Sequence, residues 1–131
     1  MHTKDRITCH VLNTQTGTPA RSLRIRLTTT STSTPSTFES HTDDDGRVLS
    51  WLPYSGADSA GEVPVYTLDD VLSELGGGEG SRWELRFDTG AYWGEENTFF
   101  PEVTVSFVMG KGHHHVPLLL APYSYTTYRG S

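Results

Sequence analysis

The sequence is short of cysteine, of basic residues and of long apolar runs, and each shortage excludes a class of protein. Among its 131 residues Cys9 is the single cysteine, so a scaffold held by internal disulfides is excluded. The net charge of −6 argues against a nucleic-acid groove, because such domains are usually basic. The longest apolar stretch, residues 116–122, is too short to cross a bilayer.

Hydrophobic residues are scarce as well. Counted with glycine and without tyrosine, they make up about 39% of the chain, against roughly 45–50% in an average domain. The length predicts one domain, residues 1–131, with a thin core that favours oligomerisation. Because no apolar signal segment is visible at the start, we expect a cytoplasmic protein. A peroxisomal location stays open, although the final Arg-Gly-Ser is not the Ser-Lys-Leu address.

Alternating apolar and polar residues predict β-strands along most of the chain. The stretch ITCHVLN places Ile7, Cys9 and Val11 on one face and His10 on the other. Seven or eight short strands with turn-forming residues between them are typical of an antiparallel β-sandwich. The other segments with this pattern are residues 22–27, 47–51, 82–87, 102–109 and 113–120.

One segment, residues 66–78, has the period of a helix. Its leucines and its valine recur at i, i+3, i+4 and i+7, Thr67 can cap its start, and Gly76 can end it. The Ser/Thr-rich tract 28–37 predicts a long mobile loop, and the Gly-rich stretch 55–62 predicts a second loop. The sequence assigns a function to neither.

The last predicted strand carries three consecutive histidines. Alternation sends its valine and two of its leucines to the core and leaves His113 and His115 on the outer face with Pro117 and Leu119. An outer face that mixes histidine with proline and leucine is typical of an interface that encloses a polar site. His10 lies on the corresponding outer face of the first strand.

Each of these residues also has an ordinary structural interpretation. His10 alone is more often a surface strand histidine, and Arg47 alone is an ordinary arginine after a turn. A metal site is a further alternative, but strand neighbours point to opposite faces, so at most His113 and His115 share an ion. The Asp-Asp-Asp-Gly stretch at 43–46 lacks the remaining ligands of a calcium loop and predicts a solvated turn.

Four segments together resemble the 5-hydroxyisourate hydrolases, the enzymatic branch of the transthyretin-like proteins. The terminal Tyr-Arg-Gly-Ser is the motif that separates these hydrolases from the hormone-carrying transthyretins. Two departures are Asn13, where the family commonly has Asp, and His114, where it commonly has Tyr. The four segments are residues 10–27, 43–48, 85–107 and 114–131, which together with their connections span nearly the whole chain.

The resemblance implies a fold, a reaction and an assembly. The fold is a transthyretin-like (prealbumin-like) antiparallel β-sandwich of about eight strands with one short helix. The reaction is hydrolysis of 5-hydroxyisourate to 2-oxo-4-hydroxy-4-carboxy-5-ureidoimidazoline in urate degradation. The protein is expected to be a homotetramer with sites in the channel between paired dimers, without metal or organic cofactor and without nucleic-acid or membrane partners. The alternative is a non-catalytic small-ligand carrier of the transthyretin type.

The resemblance also implies site residues. Two histidines that titrate near neutrality suit a base and a proton donor, in an order that the sequence leaves open. A planar guanidinium suits an oxyanion or a purine-like oxygen. By this resemblance the catalytic residues are His10, Arg47, His115 and Ser131, and the substrate-binding residues are Tyr128, Arg47, Arg129 and Gly130.

Overall fold

Ten strands and two short helices make up the described chain. The structure is a computed structural model that describes residues 4–32, 36–54 and 66–130. In chain order the elements are β1 (Ile7–Asn13), β2 (Thr18–Pro19), β3 (Arg24–Thr29), β4 (Ser36–His41), β5 (Arg47–Val48), β6 (Leu52–Pro53), α1 (Leu68–Glu74), β7 (Arg82–Phe87), α2 (Thr89–Trp93), a 3-10 turn (Glu95–Asn97), β8 (Val103–Val108), β9 (His114–Ala121) and β10 (Ser124–Thr127).

The strands form two sheets of five. The first has the order β10-β9-β1-β2, with β5 also paired to β1, and the second has the order β6-β4-β3-β7-β8. The predicted transthyretin-like sandwich is confirmed. All pairs are antiparallel except β1 and β9, which run parallel with Thr8 opposite His115. A parallel pair needs a long crossover connection, and here the whole second sheet supplies it.

The core lies between the sheets, on the faces that alternation predicted. Side chains of β1, β3, β7 and β9 meet there in one cluster, and a buried aliphatic or aromatic side chain stabilises the fold by about 1.5–3 kcal/mol. The cluster includes Ile7, Cys9, Val11, Ile25, Leu27, Trp83, Leu85, Phe87, Val116, Leu118 and Leu120. The opposite face of β1 and β9 is therefore left for other contacts.

The predicted helix is present as α1. Thr67 caps it, with its hydroxyl accepting the Asp70 N–H while the Asp70 carboxylate accepts the Thr67 N–H. Leu68, Val71 and Leu72 are buried, as the apolar stripe predicts. The structure adds α2, a five-residue helix capped by Asp88, which is too short for a hydrophobic period to reveal.

The Ser/Thr-rich tract differs from the prediction. β3 runs to Thr29 and β4 begins at Ser36, and the register pairs these two residues, so both ends of the predicted loop are strand. The prediction was wrong there because β-branched threonine fits a pleated strand, and the Thr29 hydroxyl donates to the Arg82 carbonyl at 2.7 Å. Residues 33–35 and the Gly-rich stretch 55–62 lie outside the described residues.

Beyond Pro122 the chain forms an exposed strand at the surface of the sandwich. β10 pairs with β9 through four register positions and becomes the edge of the first sheet. In the described part of the chain, neither helix has the length and hydropathy that crossing a membrane requires.

Candidate functional site

The predicted site residues meet on the outer face of the first sheet. His10 on β1 is the register partner of Arg47 on β5, and Thr8 is the partner of His115 on β9. Gly130 forms a bridge to His115, and its N–H donates to the His115 carbonyl at 2.9 Å. Three strands and the C-terminal segment thus bring together residues that lie more than a hundred positions apart in sequence.

The acidic turn before β5 positions Arg47. The Asp43 carboxylate accepts the N–H groups of Asp45 and Arg47, both at 2.9 Å. Gly46 has φ +76°, and a Cβ there would collide with the Val11 carbonyl oxygen, so only glycine fits. The turn is structural, as its solvated composition predicted, and it places the arginine beside His10.

A backbone carbonyl determines the tautomer of His10. The Nε2 atom lies 3.0 Å from the Asp45 carbonyl oxygen. Because a carbonyl oxygen only accepts, Nε2 carries a proton and donates it. In the neutral ring the lone pair is therefore on Nδ1, which is the nitrogen left for chemistry.

His115 is held close to His10 in a positively charged environment. The two ring centroids are 6.4 Å apart with an angle of 34° between the planes. Partial burial lowers the pKa of His115 below its ordinary value, and the charges of Arg47, His10, His113 and Lys4 lower that pKa further. Near neutral pH this imidazole is consequently uncharged and keeps a basic nitrogen.

Two residues that sequence analysis did not assign to the site also contact His115. The Thr8 hydroxyl lies 2.8 Å from His115 Nδ1 and 2.9 Å from His113 Nε2. The outer-face position of His113 was predicted, but its connection through Thr8 was not. The alternation of β1, which puts Thr8 and His10 on one face, is the signal that points to Thr8.

The C-terminal segment closes one side of this arrangement. A Cβ on Gly130 would come within 2.7 Å of His115 Cδ2 and 3.0 Å of Pro117 Cγ, so the close approach requires glycine. Pro117 is buried beside Gly130 within the chain and needs no cover from a partner. Ser131, predicted as catalytic, lies outside the described residues.

A cavity of about 530 Å³ opens next to His115, between β8, β9 and the C-terminal segment. We call it the edge cavity. Tyr128 and Arg129 line it with His115, whereas His10 and Arg47 do not. The structure therefore brings His10, Arg47, His115 and Gly130 together and places Tyr128 and Arg129 at an adjoining opening. The remaining lining is largely apolar and includes Val105, Phe107, Met109 and Val116.

His114 lies on the core face, opposite His115. Its Nε2 accepts the Gly110 N–H at 2.9 Å, so the proton of the neutral ring is on Nδ1, a buried atom to which the described residues offer no partner. Burial, followed by the charge of Arg129, lowers the pKa of His114. Its geometry separates it from the outer-face site.

The single cysteine does not belong to the site. Cys9 is completely buried, and burial raises the pKa of its thiol, so it is an inert core residue. Among the described residues, no three His, Cys, Asp or Glu side chains are arranged to hold a metal ion.

Comparison with known proteins places these observations in a family context. The family model described as the HIUase/transthyretin family matches residues 7–130. The chain is 37% identical over 132 residues to the probable 5-hydroxyisourate hydrolase of Schizosaccharomyces pombe, covering 95% of this chain and 90% of that one. It is 36% identical over 132 residues to the 5-hydroxyisourate hydrolase of Mus musculus, covering 95% and 94%.

Solved structures agree with the fold. The 5-hydroxyisourate hydrolase of Klebsiella pneumoniae superposes with a TM-score of 0.65 at 26% identity, covering 99% of this chain and all of the other. Sea bream transthyretin, solved in complex with thyroxine, superposes with a TM-score of 0.69 at 21% identity, covering 96% and 95%. The second similarity shows the sandwich alone.

Proposed function

Because this chain belongs to the HIUase/transthyretin family, we propose that it hydrolyses 5-hydroxyisourate to 2-oxo-4-hydroxy-4-carboxy-5-ureidoimidazoline in urate degradation. Relatives at 34–37% identity over most of the chain carry the name of this hydrolase. The structural observation that carries the proposal is the pair of histidine rings 6.4 Å apart, with Arg47 in register beside one of them.

The reaction opens an acyl C–N bond in a ring with water. It requires a base for the water, a cation or donor for the developing oxyanion, and a proton for the leaving nitrogen. Arg47 supplies a permanent charge and a planar fork of donors for the oxyanion. His10 and His115 then divide the proton transfers between them.

We assign the base to His115. Its lowered pKa keeps the ring uncharged near neutral pH, and its Nδ1 is engaged by Thr8, which leaves Nε2 for the water. His10 is anchored through Nε2–H to the Asp45 carbonyl, so in its doubly protonated form its Nδ1–H is the donor that delivers a proton to the leaving nitrogen. Two histidines of one site thereby take opposite roles.

The C-terminal segment completes the site in this proposal. Tyr128 and Arg129 line the opening next to His115 and bind the flat, polar ring together with Arg47. The Gly130 backbone lets the chain pass close to His115. In this proposal Ser131 contributes its hydroxyl to the substrate or to the histidines.

The working form of the protein is a homotetramer in this proposal. Support comes from the edge strands: Val108 of β8 is 57% exposed, Tyr125 of β10 is 40% exposed, and Tyr128 beyond it is 55% exposed. Val108 and Tyr128 line the open edge cavity, which a second copy would cover. Association would also enclose the outer-face site, which is open in a single chain.

A direct assay tests the reaction. We expect the protein to accelerate the decay of the ultraviolet absorbance of freshly generated 5-hydroxyisourate. His10→Asn and His115→Asn are each expected to lower kcat by about 10²–10⁴-fold, the usual contribution of an acid–base group.

His41→Asn is the matched control, because His41 is an exposed histidine at the end of β4 in the other sheet. It should leave kcat unchanged. Wild-type protein without acceleration over buffer would refute the hydrolase and favour the carrier alternative. A fully active His115→Asn variant would remove that histidine from the mechanism.

A further inference from the structure

One hydroxyl lies between two histidines of the outer face. Thr8 is 1% exposed, and its Oγ1 is within hydrogen-bond distance of His115 Nδ1 and of His113 Nε2. The parallel register of β1 and β9 produces this arrangement, since Thr8 is the partner of His115 and the His113 ring stacks beside the His115 ring at 6.3 Å. Backbone pairing holds Thr8 and His115, and His113 lies just before the start of β9.

The chemistry of a hydroxyl couples the two rings. A threonine has one proton to donate and lone pairs to accept, so it can donate to only one of the two nitrogens and must accept from the other. If His115 donates from Nδ1, Thr8 donates to His113 Nε2, and His115 Nε2 is a bare base. If His113 donates from Nε2, Thr8 donates to His115 Nδ1, and His115 carries its proton on Nε2.

We propose that Thr8 is a positioning residue which sets the tautomer of His115 and passes the proton that His115 takes from water on to His113. This inference rests on the proposed hydrolase function. It adds two residues, Thr8 and His113, to a site in which Arg47 and His10 have other roles.

The proton transfer balances without any further reactant. The water proton binds to His115 Nε2 as the water oxygen bonds to the substrate carbon. The Nδ1 proton of His115 moves to Thr8 Oγ1, and the Thr8 proton moves to His113 Nε2. One positive charge has then left His115 and rests on His113, and after product release the transfers run backwards as His115 gives its Nε2 proton to solvent.

The charges around the two rings favour this direction. Arg47 on β5, His10 on β1 and Lys4 before β1 all oppose a positive charge on His115. His113 is half-buried. Burial lowers its pKa most, the charges of Lys4 and His114 lower that pKa further, and Arg47 is not among the causes. Moving the proton to His113 therefore separates it from the arginine that must hold the oxyanion.

The test compares Thr8→Val, which keeps the shape of the side chain and removes the hydroxyl, with Thr8→Ser, which keeps the hydroxyl. We expect Thr8→Val to lower kcat by about 10–100-fold, the usual cost of removing a group that orients a functional histidine. Thr8→Ser should recover most of that loss. Thr37→Val, at a threonine pair in the other sheet, controls for the substitution itself.

The pH profile distinguishes proton transfer through Thr8 from a role of Thr8 in packing alone. In Thr8→Val the imidazolium of His115 loses the acceptor of its Nδ1–H, so its pKa falls further and the acid limb of kcat/KM moves to lower pH. His113→Asn should lower kcat in the wild-type background and have no further effect in Thr8→Val. This coupling would be absent if Thr8 only filled space.

Nitrogen NMR of the histidine rings supplies a readout that needs no substrate. We expect His115 in the free protein to carry its proton on Nδ1 and to lose this preference in Thr8→Val and in His113→Asn, but not in Thr8→Ser. Equal kcat and unchanged tautomers in Thr8→Val and Thr8→Ser would overturn the inference. A wild-type protein inactive on 5-hydroxyisourate refutes the proposed function, whereas the NMR comparison still decides the Thr8 connection.

Discussion

Two histidines of the same site differ because of the atoms that surround them. His10 donates Nε2–H to a backbone carbonyl that the acidic turn holds in place, so its tautomer is fixed by an acceptor that never changes charge. His115 binds a hydroxyl that accepts or donates, and its pKa is lowered by burial and by Arg47. On acidification, His115 should therefore bind its proton at a lower pH than an ordinary histidine does. Its uncharged, basic form should persist into mildly acidic solution.

Gly130→Ala tests whether the close approach of the C-terminal segment to His115 is needed for activity. The added Cβ would lie 2.7 Å from His115 Cδ2 and 3.0 Å from Pro117 Cγ, so the ring or the C-terminal segment must move. A displaced catalytic group costs activity steeply, and we expect kcat/KM to fall about 10–100-fold with little change in melting temperature.

Gly110→Ala is the matched glycine control. Its Cβ would meet only His114 Nε2, at an ordinary 3.7 Å, among the atoms the structure describes. We expect nearly wild-type kcat/KM from it. Equal activity of the two alanine variants would show that Gly130 is not held against His115.

Among the elements, a strand pair and a turn build the outer-face site. The parallel pair of β1 and β9 brings Thr8 beside His115, and the acidic turn delivers Arg47 opposite His10. β5, which carries the arginine, has only two residues. The position of the arginine therefore depends on the hydrogen bonds of the turn more than on strand pairing.

Asp43→Ala should show this dependence. The change removes the acceptor of the Asp45 and Arg47 N–H groups, two exposed hydrogen bonds worth about 1 kcal/mol each. We expect a lower melting temperature and a lower kcat/KM, because both Arg47 and the carbonyl that orients His10 belong to this turn. Asp43→Asn keeps the carbonyl-type acceptor and should retain most of both quantities. A fully active, equally stable Asp43→Ala variant would contradict the role of the turn.

At the scale of the whole molecule, apolar surface remains at both sheet edges next to the site. β8 and β10 are the outermost strands of their sheets, and exposed Val108 and Tyr125 lie on them. Strand edges with apolar side chains are prone to pair with another chain.

Light scattering tests the assembly. Four chains of 14.5 kDa give a tetramer of about 58 kDa. Val108→Lys places a charge on the β8 edge and should lower both the mass and the activity. Leu52→Lys changes a similarly exposed apolar residue on β6 at the opposite edge of the second sheet, and it should preserve both. A wild-type monomer with full activity would refute the tetramer.

Elements with local signals could be predicted from the order of residues. Side chains alternate along a strand, so the faces of β1, β3, β7, β8 and β9 followed from the order of residues alone. The cap and the apolar stripe predicted α1 in the same way. The resemblance supplied the residues His10, Arg47, His115 and Gly130, and the structure brings these four together.

Features that depend on pairing between distant segments could be seen only in the folded structure. Nothing within β1 or β9 specifies that they run parallel, that Thr8 faces His115, or that Thr8 also reaches His113. The strand ends at Thr29 and Ser36 likewise depend on each other, because neither residue is distinguished from a loop residue until its partner is present. Alternation shows which face of a strand is buried, but it does not identify the strand that pairs with it, because that choice depends on burial and backbone pairing across the whole sandwich.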